Sequence, residues 1–222
     1  MSPSERPIPT TTVSRLPLYL RALERLLELG ESTVPSEKLA EVAGVSAANL
    51  RKDLATLGSF GTRGSGYDIK NLKVRIASVL GADTEWKVAI AGIGNLGLAL
   101  ANYPILAGPS FMVAALFDTD NAKIGTKILG MPIRHIDEMP LAVAEENLRM
   151  GVITTPAGVA QDVANKMMSS GIKSILNFAP ALILAGEGVL VRNVDVALHL
   201  LVLSYHERSG QNGTGLSRNS GR

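Results

Sequence analysis

The stretch from Lys87 to Gly97 reads KVAIAGIGNLG, an apolar run leading into a G-x-G-x-x-G turn, and the next residues, LALA, continue as a helix. Nothing else in the chain limits its fold so tightly. Gly92 permits the tight turn, Gly94 lets a pyrophosphate approach the backbone, and Gly97 lets helix and strand pack closely. The helix N-terminus offers unpaired N–H groups and a partial positive charge to the phosphates. A glycine fingerprint alone says little. This one follows a strand, opens a helix, and is followed by Asp118 at the end of the next apolar run. An acid in that position accepts hydrogen bonds from the adenine ribose and repels a 2′-phosphate, so NAD(H) is expected over NADP(H), with Lys123 nearby the one feature pulling the other way. Gly92, Ile93, Gly94, Asn95, Leu96, Gly97, Asp118 and Lys123 form the expected adenosine and pyrophosphate end.

Further short strands are expected at 112–117, 152–155, 174–177 and 189–191, alternating with helical stretches. That pattern implies a doubly wound parallel sheet of the Rossmann type. Loops at the C-terminal ends of such strands bind ligands. Thr155 and Pro156 after one strand, with Phe178, Ala179 and Pro180 after another, are therefore expected to hold the nicotinamide. Oxidised nicotinamide is cationic and the reduced ring is neutral, so an apolar pocket there prefers NADH. A dehydrogenase is the rival reading, and it wants an acid or base beside the nicotinamide. The histidines are His135, His199 and His206, and none follows a strand in the second half of the sheet. There is no Tyr-x-x-x-Lys pair and no separate substrate domain.

The front of the chain follows another rhythm. Leu16, Tyr19, Leu20, Leu23, Leu26 and Leu27 recur at helical spacing, with Ser14 as a candidate cap, Pro17 in the first turn and Gly30 closing the helix. A second helix is expected after Ser36 as far as Gly44, and a third, capped by Ser46, as far as Gly58. Leu39, Ala40, Gly44, Val45 and Leu50 fit a helix-turn-helix. The third helix would then read the major groove with Ser46, Asn49, Arg51 and Lys52. Gly58, Gly61, Gly64 and Gly66 suit a hairpin whose tip, Arg63 and Gly64, is placed like a wing reaching a minor groove. A connecting helix is expected within 68–83. From Val45 to Leu80 six cations face two anions, whereas from Gly81 to Arg208 nine cations face twelve. A basic front on an acidic body points to a polyanionic partner for the front alone, although solvated surface charge gives the same count.

The 222 residues contain no cysteine, so disulfides and thiolate metal sites are excluded and a reducing, cytoplasmic setting is natural. No metal is expected. The N-terminus lacks the apolar core of a secretory signal, and the apolar stretch 194–205 contains Asp195 and His199 and is too short to cross a bilayer. A helix apolar nearly all round must be buried, so this one is expected against a partner subunit. The last fourteen residues, 209–222, are expected to be disordered.

These residues together resemble the bacterial redox-sensing repressor Rex family over about 8–207. The carrying segments are SRLPLYLR (14–21), RKDL (51–54), GSFGTRGSGY (58–67), the glycine turn, NFAP (177–180) and NVD (193–195). The resemblance implies an N-terminal winged helix-turn-helix (1–82), a Rossmann NAD(H) domain (83–193) and a C-terminal helix (194–208) swapped across a homodimer. It also implies that the protein represses respiratory and fermentative genes, that NADH releases it from a palindromic operator, and that NAD+ permits binding. Arg21, Tyr103 and Asp195 match family positions that form a switching cluster between subunits. The chain departs from the family at Asn49, where glutamine is usual, and at Ala55, Thr56 and Leu57 in place of a typical Ser-Tyr-Phe. Operator preference is where those departures bear.

Overall fold

Proline rather than serine opens the first helix. In the computed structural model, which describes residues 7–58, 61–62, 66–103 and 110–214, α1 (Thr10–Glu28) starts after Pro9. Ser14 therefore lies inside α1, its hydroxyl donating to the Thr10 carbonyl at 2.8 Å, and Pro17 falls two turns in instead of in the first. The fixed φ of Pro9 and the carbonyl it offers to the Val13 N–H start the helix early. Thr12, Leu16, Tyr19, Ala22, Leu23 and Leu26 form its buried stripe.

Next come β1 (Thr33–Val34), α2 (Ser36–Ala43) and α3 (Ala47–Leu57). Pro35, not Ser36, occupies the cap position of α2. Between α2 and α3, Gly44 takes the left-handed conformation at φ +69° that the motif requires. Ser46 caps α3 as expected, accepting from the Asn49 N–H at 3.2 Å. The wing pairs β2 (Gly61–Thr62) with β3 (Gly66–Asp68), and β1 joins it to give the order β1-β3-β2. Asp68 then caps α4 (Ile69–Leu80) by accepting from Asn71 N–H. Leu16, Leu23, Leu39, Leu50, Leu72 and Ile76 anchor one core for these elements. They belong to the first of two compact units, Met1–Thr84 and Glu85–Arg222.

The second unit contains β4 (Trp86–Ala91), α5 (Asn95–Ala101), β5 (Phe111–Asp118), β6 (Lys127–Ile128), β7 (Met131–His135), α6 (Met139–Glu146), β8 (Met150–Ile153), α7 (Ala157–Ser169), β9 (Ser174–Asn177), β10 (Leu190–Asn193) and α8 (Val196–Thr214). The strand order is β10-β9-β8-β4-β5-β7-β6, parallel throughout except for β6 against β7. This is the doubly wound order, with its reversal between β4 and β8. Strands β6 and β7 were not expected. Pro132 and Arg134 interrupt the apolar pattern, and β7 forms because Ile133 to His135 pair with Leu116 to Asp118. One face of the sheet packs on α6 and α7. The other carries α5 together with an apolar trough of about 300 Å³ lined by Val88, Phe111, Met150, Val152, Leu176 and Leu190.

Between β6 and β7, Leu129 is held at φ +48°, followed by Gly130 at +82°. Two successive positive φ values suit Asn-Gly, and a leucine there is strained. Leu129 is 66% exposed, so little packing depends on it. Leu129→Asn is expected to stabilise the protein by about 1 kcal/mol, seen as a higher urea midpoint at unchanged slope. A lower midpoint refutes the strain argument.

The last helix, α8, runs six residues past Arg208, so residues 209–214, expected to be disordered, are helical. Extending an existing helix adds one hydrogen bond per residue without a new nucleus, and no proline stops it. Residues 215–222 lie outside the described residues. Among the described residues no helix is long and apolar enough to cross a membrane, and no cluster of His, Asp and Glu could hold a metal ion.

Candidate functional site

At the reversal of strand order, the loops after β4 and β8 are tied together. Thr154 N–H donates to the Ala91 carbonyl at 2.9 Å, and its hydroxyl donates to the Gly92 carbonyl at 2.6 Å. Two glycines of the turn have a steric reason within the fold. Gly92 sits at φ +97°, and a Cβ there would come within 2.7 Å of Thr155 Cγ2; one at Gly97 would strike the Gly92 carbonyl oxygen. Among the described residues, a Cβ at Gly94 would meet nothing within 4 Å. The space beside Gly94 is therefore open among the described residues, and none of them needs it empty.

Asp118 borders this space. Its carboxylate accepts from the N–H groups of Ile93 (2.8 Å), Thr119 (2.8 Å) and Asp120 (3.0 Å), and Lys123 Nζ lies 3.0 Å away. Burial works against its charge, but the Asp120 amide, the Lys123 ammonium and the Ile93 and Thr119 amides prevail and hold the carboxyl below its ordinary range. An ionised acid at pH 7 is what ribose recognition needs.

On the other side, Phe178 N–H donates to Ile153 O at 2.9 Å, which seats the 178–180 loop at the end of β8. Fully buried Asn177 shapes that loop. Its amide donates to the carbonyls of Ala179 and Ala181 and to Asn193 Oδ1, while its own oxygen accepts from Ala179 N–H. Pro156 precedes α7. Thr155 Oγ1 is buried and, among the described residues, has no hydrogen-bond partner. An orphaned hydroxyl of this kind carries a cost that a bound polar group would remove. The open space at Gly94, the unpaired Thr155 and the ionised Asp118 fit a dinucleotide.

In the first unit, Ser46, Asn49, Arg51 and Lys52 lie on the exposed side of α3, as a groove-reading helix requires. Arg51 Nη1 donates to Glu37 Oε1 at 2.8 Å and to Ser36 Oγ at 3.1 Å. An exposed pair is worth at most about 1 kcal/mol, so Arg51 is easily exchanged onto a phosphate. Arg63 and Gly64 lie outside the described residues. Of the expected switching residues, Arg21 is exposed on α1, Tyr103 is half exposed, and Asp195 accepts from the N–H groups of Ala197 and Leu198 at the start of α8.

Asp53 escaped the sequence reading. It is buried inside α3 and accepts from Thr12, Arg15 and Tyr19 of α1. Burial disfavours its charge, yet these donors hold it below the ordinary carboxylate range, while burial and the Asp53 carboxylate push the Tyr19 phenol up to about 12. A carboxyl lowered on folding contributes stability above the unfolded value, about pH 4, and that contribution is lost as pH falls through the lowered native value. The first unit is expected to loosen below about pH 4, and Asp53→Asn to flatten that acid limb. Circular dichroism across an acid titration checks this, and an unchanged limb in the variant counts against it.

A winged helix and a dinucleotide turn on one chain define a nucleotide-responsive DNA-binding regulator. Residues 83–181 match the family model "CoA binding domain", and 7–55 match "Putative DNA-binding protein N-terminus". The chain is 50% identical over 203 residues to the redox-sensing transcriptional repressor Rex of Streptomyces griseus, covering 91% of this chain and 80% of that one. It also resembles the crystal structure of RSP, a Rex-family repressor, in complex with β-NAD+ and operator DNA, with TM-score 0.87, 29% identity and coverage of 98% and 100%. RSP in complex with β-NADH matches with TM-score 0.84 and 28% identity, covering 96% and 100%. The chain belongs to the redox-sensing transcriptional repressor Rex family. Its fold is the expected winged helix-turn-helix with a Rossmann sheet, and its relatives are named as repressors, not enzymes.

Proposed function

We infer that residues 83–193 bind NADH and NAD+, that the winged helix within 1–82 binds a palindromic operator, and that NADH occupancy releases a homodimer from that DNA. The observation that carries this reading is the open space at Gly94 beside an ionised Asp118, on a chain whose other unit is a winged helix. Gly92 to Gly97 would cradle the pyrophosphate, Asp118 would take the adenine ribose, and Thr155, Pro156, Phe178, Ala179 and Pro180 would border the nicotinamide. Asp118 also disfavours coenzyme A and NADP(H), whose adenine ribose carries a phosphate. Lys123 is paired to Asp118, which counts against its serving a 2′-phosphate.

The dimer reading rests on α8. Its apolar residues 196, 198, 200–203 and 205 are 58–68% exposed in the single chain, on every side of the helix. The trough on the sheet offers apolar surface for the partner's α8, the exchange the family implies. In this reading Arg21, Tyr103 and Asp195 are the polar contacts across subunits that change with the nucleotide. The cytoplasm, which holds both DNA and the NADH pool, is the proposed location.

Coupling works by population. NADH favours a DNA-incompetent dimer, and a preference of about 1–3 kcal/mol alters operator affinity roughly 5–150-fold. A gel-shift titration tests this, with release by NADH and none by equal NAD+ as the expected result. Indifference to both rejects the reading. Asp118→Ala is expected to weaken NADH binding while leaving ligand-free operator binding intact.

A further inference from the structure

Four polar side chains meet beneath the reading helix. Thr12, Arg15 and Tyr19 share one side of α1 at spacings of three and four residues, and all donate to Asp53 on the inner side of α3. Thr12 Oγ1 reaches Oδ1 at 2.9 Å, Arg15 Nη2 the same oxygen at 2.7 Å, Arg15 Nε reaches Oδ2 at 2.6 Å, and Tyr19 Oη that oxygen at 2.7 Å. Asp53 is 1% exposed, Tyr19 0% and Thr12 3%.

Leu50, Leu54 and Leu57 also hold α3 to the core, but apolar contact has no direction. Short, charge-assisted hydrogen bonds do, and four of them on one carboxylate define how the helix is rotated about its axis. Rotation matters for the outward side chains. A turn of roughly 20° displaces a side chain about 6 Å from the axis by about 2 Å, enough to break a hydrogen bond to a base edge.

We propose that Asp53 is a positioning residue for operator recognition, setting the rotation of α3 through Thr12, Arg15 and Tyr19 so that Asn49, Arg51 and Lys52 address the correct bases. This rests on the reading of α3 as the groove helix. The competing possibility is a role in stability alone. Buried ion pairs often exchange for apolar groups without loss of stability, which gives a way to separate the two.

The full-length variant Thr12→Val, Arg15→Met, Tyr19→Phe, Asp53→Leu removes all four polar partners together and leaves none unpaired. It is expected to melt cooperatively, to bind NADH as the parent does, and to bind unrelated duplex DNA within about twofold of the parent. Its operator affinity is expected to fall about tenfold, the scale of one lost base contact. Native operator affinity in the folded variant overturns the proposal. Equal losses on operator and unrelated DNA also overturn it, because they place Arg15 on a phosphate. If this variant fails to fold, Thr12→Val with Tyr19→Phe carries the test, since it keeps the ion pair and loses two directional bonds. A severalfold loss confined to the operator supports the proposal, and native operator affinity overturns it. A parent protein that ignores the operator would instead remove the reading of α3, a distinct failure.

Discussion

Gly94→Val is expected to yield a folded repressor that no longer answers to NADH. A Cβ at this position meets no atom of the described residues within 4 Å, and the backbone there is extended, so the substitution is expected to cost the fold little. The added methyl groups would instead occupy the space through which a pyrophosphate approaches the turn. Nucleotide affinity should fall by about 100-fold or more, since both the contact with the backbone and the phosphate's position are lost. Operator binding without ligand should be unchanged. Gly97→Val is the informative contrast, because its Cβ would strike the Gly92 carbonyl and the fold itself should suffer. Calorimetric titration with NADH, a melting curve and a gel shift on both proteins check this. Gly94→Val with native NADH affinity would place the nucleotide elsewhere.

Leu198→Glu with Leu201→Glu is expected to convert the dimer to monomers. Both leucines are well exposed in the single chain, at 59% and 64%, so their replacement removes little packing within the subunit. In the dimer each would place a charge against apolar surface, which costs several kcal/mol unless paired. Operator affinity should then fall by about 100-fold or more, because two linked half-sites are no longer engaged together. The glycine turn lies within one chain, so NADH binding should survive at reduced or native strength. Sedimentation with a gel shift decides the matter, and an intact dimer would mean that α8 is not the interface.

Much of this molecule was legible before its structure, and the reason is local. Gly97 meets a need set by the Gly92 carbonyl five residues back, and Ser46 caps α3 through the N–H three residues on. What escaped the reading depends on distant partners. Strand β7 carries Pro132 and Arg134 and owes its existence to pairing with β5. Asp53 lies between Lys52 and Leu54 and reads as one more solvated charge, and only the packing of α3 on α1 turns it toward Arg15. Asn177 was visible as part of NFAP, but its work as a clamp on the 178–181 loop depends on the return of β10, which brings Asn193 within 3.0 Å. Ser14 misled because a good cap residue stood just after a better helix start at Pro9.

The inward turn of Asp53 also has an ionic consequence. An acid on the outer side of α3 would sit among the phosphates and cancel one of the cations that meet them. Here the negative charge is neutralised inside the protein by Arg15, and on the proposed reading of α3 this leaves Lys52 and Arg51 free of a like-sided acid where they meet the duplex. Each phosphate contact so gained steepens the fall of affinity with added salt, by about 0.9 in the log–log slope. Grip on the operator is thereby tied to the ionic strength of the surroundings as well as to their redox state.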